Sequence, residues 1–203
     1  MEEKDIYSEL SAIRSLMERS SKFISLSGLS GIMAGIYGLI GAWFAIRMVS
    51  NHEDLGFPAD NLQVITRALI VIGLIVMVLS AVTAYWLTVR QAKKRNENVW
   101  NPVSRRLLAA SGVPFLTGGL FIAALILRDE YSFIPPACLI FYGLALVAGG
   151  QFTFSEVKWL GFCQIVLGLA ALVLPRYGLV LWAIGFGVLH IVYGAVMYFK
   201  YER

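Results

Sequence analysis

Residues 68–89 read ALIVIGLIVMVLSAVTAYWLTV, 22 positions without Lys, Arg, Asp or Glu. Wound as a helix at 1.5 Å per residue, this run is about 33 Å long, enough to cross a hydrocarbon core of about 30 Å. Five more charge-free stretches surround it: Phe23–Ile46, Leu107–Leu127, Tyr131–Ser155, Trp159–Pro175 and Tyr177–Phe199. The sequence therefore predicts an all-α, polytopic membrane protein with six transmembrane helices in one bundle. Its spans are expected at about 23–46, 68–89, 107–127, 134–155, 159–175 and 177–199, with a cytoplasmic helix over 1–22 and a short tail at 200–203.

Composition agrees. Hydrophobic residues are 58% and charged residues 15%, against about 45–50% and about 25% in soluble domains. A chain of 203 residues with short connections has room for one bundle and no second folded domain. Residues 1–22 are polar and carry both charge signs, and no small-residue cleavage pattern follows a short apolar core, so the first helix is expected to stay attached.

Orientation follows from the loops. With the N-terminus in the cytoplasm, the inner segments hold 13 Lys and Arg and the outer ones four, Arg47, Arg67, Arg128 and Arg176. Such a split obeys the positive-inside rule and puts both termini in the cytoplasm. Six of the inner cations, Arg90, Lys93, Lys94, Arg95, Arg105 and Arg106, flank one loop and form a candidate patch for anionic lipid headgroups. The net charge of +4 thus reflects membrane orientation and not nucleic-acid binding, which needs a folded basic surface.

Aromatic side chains support the boundaries. Trp43 and Trp182 fall at expected outer ends, Trp86 and Trp159 at inner ends, and Tyr131, Tyr177 and Tyr198 also lie at interfaces, where amphipathic rings prefer to sit. Trp100 lies in the inner loop. Pro135 and Pro136 suit the first turn of the fourth helix. Pro114, inside the third, is expected to kink it. Cys138 and Cys163 fall in opposite leaflets, on the order of 20 Å apart, beyond the reach of about 7 Å that a disulfide allows. They read as small packing residues.

The first helix carries small residues at every fourth position on two stripes, Ser27-Gly31-Gly35 and Ala34-Gly38-Ala42. Such stripes let a second backbone approach closely, which places this helix at the bundle centre or at a subunit interface. A Tyr-Gly pair recurs as Tyr37-Gly38, Tyr142-Gly143 and Tyr193-Gly194. Chance or shared packing needs explain it better than a three-plus-three inverted repeat, because the pair needs only two residues and the match between the first and sixth helices does not fit one.

One ionisable residue lies at depth. His190, mid-way along the sixth helix, is expected to pair with Gln164 of the fifth as a neutral imidazole bridging two helices. Ligand or haem contact and proton handling are the alternatives, and no carboxylate accompanies the ring. His52, Glu53, Asp54 and Asp60 offer metal-like donors, yet adjacent ligands in a loop with Gly56 and Pro58 make a poor preformed cage. The sequence thus predicts no catalytic, cofactor or metal site.

In the N-terminal segment Ile6, Leu10, Ile13 and Met17 follow a 4-3-4 spacing and share one helical face. Five acids against four cations there disfavour membrane-surface binding and favour helix–helix association. The partner is a second copy, the inner loop at 90–106, or a cytosolic protein; a frayed tail is the alternative.

Asp5 to Leu10 (DIYSEL) and Met17 to Gly31 (MERSSKFISLSGLSG) resemble the start of a family of uncharacterised bacterial six-span integral membrane proteins, a resemblance that implies no activity; the expected location is the inner membrane. The C-terminal third, with Gly168 to Pro175 and Gly187 to Gly194, is similar in texture to repeats of HdeD-type acid-resistance membrane proteins. The expectation is a non-enzymatic membrane scaffold or regulator acting through helix–helix contacts, with a second copy of the chain and a cytosolic protein as the candidate partners. The alternative is a small transporter or channel for a neutral or apolar solute with a cavity near His190. An enzyme is disfavoured, since no convergent set of reactive groups appears.

Overall fold

A computed structural model describes residues 27–55, 60–94, 96 and 98–203, side chains at 51–55 and 60–63 excepted. Every regular element among them is helical: α1 Gly28–Leu55, α2 Asp60–Lys94, α3 Pro102–Leu127, α4 Ile134–Gly149, α5 Ser155–Val173, α6 Gly178–Ala183 and α7 His190–Tyr201. Single 3-10 turns at Tyr131–Phe133, Gly150–Phe152 and Pro175–Tyr177 join some of these, and a π-helical segment, Ile184–Leu189, links α6 to α7. Among the described residues six stretches are long and apolar enough to cross a membrane, Gly28–Ser50, Val64–Lys94, Pro102–Leu127, Tyr131–Phe152, Ser155–Val173 and Pro175–Tyr201. The chain is an all-α, multi-pass membrane protein.

The helices outrun the apolar stretches. α2 has 35 residues, because a helix continues beyond the hydrocarbon wherever headgroups or water can solvate its polar ends. The boundary expected at 155–159 shifts for a related reason. α4 stops at Gly149, Thr153 and Phe154 are extended, and α5 starts at Ser155 with Glu156 in its first turn, where the helix dipole favours a carboxylate. The expected start of the first span at 23 and the face Ile6, Leu10, Ile13 and Met17 lie outside the described residues, as do Arg95 and the side chains of His52, Glu53, Asp54 and Asp60.

Local chemistry sets several ends. Asn101-Pro102-Val103-Ser104 starts α3 with a reciprocal cap: Ser104 N donates to Asn101 Oδ1 (2.8 Å), Asn101 N donates to Ser104 Oγ (2.9 Å), and Pro102 occupies the first turn. A cap of this type contributes about 1 kcal/mol. Past the ends of α2 and α3 the chain turns through Asn96 (φ 53°) and Asp129 (φ 59°), residue types that tolerate the left-handed region. Pro135 and Pro136 fall in the first turn of α4, and Pro114 lies inside a continuous α3.

Sequence neighbours pack in order, and the last span closes on the first. α1 packs on α2, α3 on α4, α4 on α5, α5 on the sixth span, and the sixth span on α1. α2 and α3 are the exception; joined by residues 95–101, they share no packing of comparable extent. Both consequently expose apolar side chains along most of their length, among them Val71, Leu74, Val82 and Tyr85 on α2 and Val113, Leu116 and Leu120 on α3.

The α1 seam differs from the two predicted ladders. Buried positions are Gly28, Gly31, Gly35, Gly38, Ala42 and Ala45, spaced 3-4-3-4-3, with Ser27 and Gly41 beside them, while Ala34 is only half-buried. Steps of four advance 400° and drift off a straight seam; alternating threes and fours stay on it. Against this seam lies the sixth span. A methyl on Gly35 would stand 2.6 Å from the Gly187 carbonyl oxygen, and one on Gly38 2.6 Å from that of Phe186. Gly41 instead meets Val76 of α2, and Tyr37 Oη reaches Thr83 Oγ1 at 3.3 Å. α1 therefore stands between α2 and the sixth span.

The end of the molecule that carries Ser27 also carries Glu202. The Glu202 carboxylate accepts from Gly28 N and, at 3.3 Å, from Ser27 Oγ, so it caps the described start of α1. Beside it Lys200 Nζ pairs with Glu156 at 2.5 Å and Tyr201 Oη donates to the same carboxylate at 3.1 Å. Three consecutive C-terminal residues thus tie α1, α5 and α7 together.

Candidate functional site

Two buried polar side chains, Gln164 and His190, meet where α4, α5 and the sixth span come together. His190 is the first residue of α7, directly after the π-helical segment. Its ring is 5% exposed and Gln164, on α5, 0%. The π turn is wider than an α turn, and such segments recur at functional sites. Here it brings the Gly185 carbonyl to 2.9 Å from His190 Nδ1 and to 2.8 Å from Gln164 Nε2.

Those contacts assign the imidazole proton. A carbonyl oxygen only accepts, so Nδ1 carries hydrogen and donates to Gly185. Nε2 then holds the lone pair and accepts from Tyr142 Oη of α4 at 2.9 Å. Phe186 stacks on the ring at 5.8 Å between centroids with 13° between planes, and Tyr142 lies at 5.5 Å and 29°. Both nitrogens and the π faces of His190 are thus engaged by the chain itself.

Gln164 is placed differently from the expected pair. Its Nε2 lies 3.5 Å from His190 Nδ1, and with hydrogens on both atoms this is proximity and not a bond. The Gln164 amide bonds the Gly185 carbonyl instead, so the two side chains share an acceptor. Turning the amide over would set Oε1 against that carbonyl, oxygen to oxygen. As oriented, Oε1 is buried and has no hydrogen-bond partner, a situation that costs about 1–3 kcal/mol. A methyl on Gly185 would lie 2.5 Å from this oxygen and 2.5 Å from Leu139 Cδ2, so both side chains would have to shift to admit it.

Sequence reasoning named His190 and Gln164 and missed Tyr142 and Gly185. The recurring Tyr142-Gly143 pair was the available signal for the first. A π turn has no residue signature beyond the two glycines, Gly185 and Gly187, that flank Phe186. Cys163 is exposed and Cys138 half-buried, so among the described residues packing accounts for Cys138 and not for Cys163.

At the interfaces Arg47 lies over the Trp43 ring and Arg90 over the Trp86 ring, each at 5.7 Å from the ring centre. Among the described cations of the expected patch, Arg90, Lys93, Lys94, Arg105 and Arg106 are all exposed. The described residues hold no group of three or more His, Cys, Asp or Glu side chains arranged to bind a metal. Comparison of the chain with protein families, curated proteins and solved structures returns no match.

Proposed function

We propose that this protein is a non-enzymatic scaffold or regulator of a bacterial inner membrane, acting through helix–helix contacts, with both termini in the cytoplasm. The carrying observation is the hydrogen bonding of His190: Gly185 and Tyr142 occupy both ring nitrogens, which makes the ring a bridge between α4 and the sixth span. Polar bridges of this kind hold membrane helices together by about 1 kcal/mol. The wide apolar surfaces of α2 and α3 offer room for lateral contacts with other membrane helices. The cation distribution supports the orientation, and the contact of Ser27 with Glu202 is consistent with both ends emerging on one side.

One observation favours a second reading. The unpartnered Gln164 Oε1, beside a π segment at depth, is the kind of acceptor that a neutral polar solute would engage in a small transporter. Two variants distinguish the readings. For a scaffold, His190→Gln folds with at most about 1 kcal/mol lost and keeps the cellular phenotype, while deletion of residues 1–20 removes it. For a transporter, a folded His190→Gln protein loses flux and the truncated protein retains it. Phenotype and thermal stability measured together separate lost function from lost folding.

A further inference from the structure

We propose that an anionic phospholipid seats where α2 and α3 stand apart, its phosphate held by Arg90, Lys93 and Lys94 from the end of α2 and by Arg105 and Arg106 from the start of α3. This goes beyond the scaffold reading and does not depend on it. The unclosed α2–α3 position is the first observation: every other pair of sequence neighbours among the spans packs. The charge is the second. All five cations are exposed, and from Val64 to Leu127 the sequence sets seven Lys and Arg against one acid, Glu97, which lies in the connecting segment outside the described residues.

The helix faces match the chemistry of a lipid. Along α2 the exposed residues Ile75, Leu79, Val82 and Trp86 are spaced 4-3-4, and Arg90 and Lys93 continue that face. Eleven residues of rise from Ile75 to Trp86 make about 16 Å, the depth of one leaflet's hydrocarbon. Apolar surface therefore runs down from a tryptophan at headgroup level to which an arginine is stacked at 5.7 Å. On α3, Gly112 and Gly119 have nothing within 4 Å of where a side chain would begin, leaving a smooth surface for an acyl chain below Arg105. The chain turns just after α2, where Asn96 N donates to Lys93 O, and just before α3, where Asn101 Nδ2 donates to Asn98 O. A zwitterionic lipid brings its own cation to the phosphate and gains less from such a cluster.

The test uses the full chain purified in a neutral detergent, with dioleoyl-phosphatidylglycerol and dioleoyl-phosphatidylcholine added separately. Native mass spectrometry should show phosphatidylglycerol adducts retained about tenfold over phosphatidylcholine, and that preference should fall to about one when the five cations become Gln. Arg128→Gln with Arg176→Gln, at the other ends of the helices, should leave it unchanged. Millimolar inorganic phosphate should not displace the lipid, since it lacks the chains; displacement would mean a free-phosphate site and overturn the lipid assignment. If the five-Gln protein does not fold, the parent still decides: the preference should weaken as ionic strength rises, because exposed charges are screened. Equal retention of both lipids by the parent, insensitivity to salt, or a dimer cross-linked through Leu116→Cys that excludes added lipid would overturn the proposal.

Discussion

Gly143 of α4 and Gly161 of α5 each leave room for the other's carbonyl: a methyl on Gly143 would stand 2.7 Å from the Gly161 oxygen, and one on Gly161 2.8 Å from the Gly143 oxygen. Gly28 and Gly194 have the same reciprocal relationship between α1 and α7. Two helix crossings are thus closed by glycine pairs, and the Tyr-Gly recurrence takes on a physical meaning. Gly38, Gly143 and Gly194 each lie at a point of closest approach between helices, which shared packing needs explain without an internal repeat.

Gly143→Ala and Gly161→Ala should each destabilise the bundle by about 1–3 kcal/mol, the usual cost of forcing an extra methyl into a packed core. Gly73→Ala, Gly112→Ala and Gly119→Ala, where a methyl meets nothing within 4 Å, should be neutral or stabilising by up to about 1 kcal/mol through helix propensity. Thermal or denaturant unfolding in detergent reads the contrast. Equal losses in the two groups would refute the assignment of the seams.

On α1 the seam makes an ordered prediction. Gly35→Ala and Gly38→Ala face carbonyl oxygens at 2.6 Å, whereas Gly31→Ala faces Gly194 Cα at 3.0 Å and the movable Tyr193 ring at 3.1 Å. The first two should lower the melting temperature more than the third, and Ala34→Val, at a half-buried position, should cost least. A ranking that puts Ala34 with Gly38 would favour the four-step ladder over the alternating seam.

The six spans were legible because charge-free length alone separates lipid from water as solvent, and 68–89 meets that criterion without reference to any other part of the chain. The ends were not, because hydropathy registers only the apolar middle of α2 and not the helical turns at 60–63 and 90–94. His190 stood out as an ionisable group at depth. Its partners did not: Tyr142 is 48 residues away, and which face of α4 meets the sixth span is decided by packing register, not by composition. Gly185 acts through its backbone carbonyl, which every residue has. The α1 ladders failed at Ala34 for a geometric reason, since 3.6 residues per turn carries every fourth position off the seam.

The Tyr142–His190 bond should register as a coupling. Tyr142→Phe removes the donor to Nε2, His190→Gln removes the ring, and the double variant isolates their interaction. Interhelical hydrogen bonds in membranes average about 0.6 kcal/mol and reach about 1.7, so a coupling in that range is expected from unfolding of the four proteins. Gly185→Ala should be worse than either single variant, because its methyl meets both the unpartnered Gln164 oxygen and Leu139. Zero coupling with a stable Gly185→Ala protein would show that the cluster is not assembled in the membrane.

Orientation is decided by accessibility. Single cysteines at 52, 95, 130 and 157, in a background where Cys138 and Cys163 are replaced by Ala, sample four successive connections between spans. On the proposed orientation, which rests on thirteen Lys and Arg against four, 95 and 157 face the cytoplasm and 52 and 130 the outside. A membrane-impermeant maleimide applied to intact cells should therefore label 52 and 130 and spare 95 and 157, with all four reacting after permeabilisation. The pairing is a stricter test than any one site, because α2, α3, α4 and α5 follow one another across the membrane and each crossing must reverse the side. Labelling of 95 in intact cells would invert the orientation, and would also move the cationic ends of α2 and α3 away from the leaflet whose anionic lipids they are expected to meet.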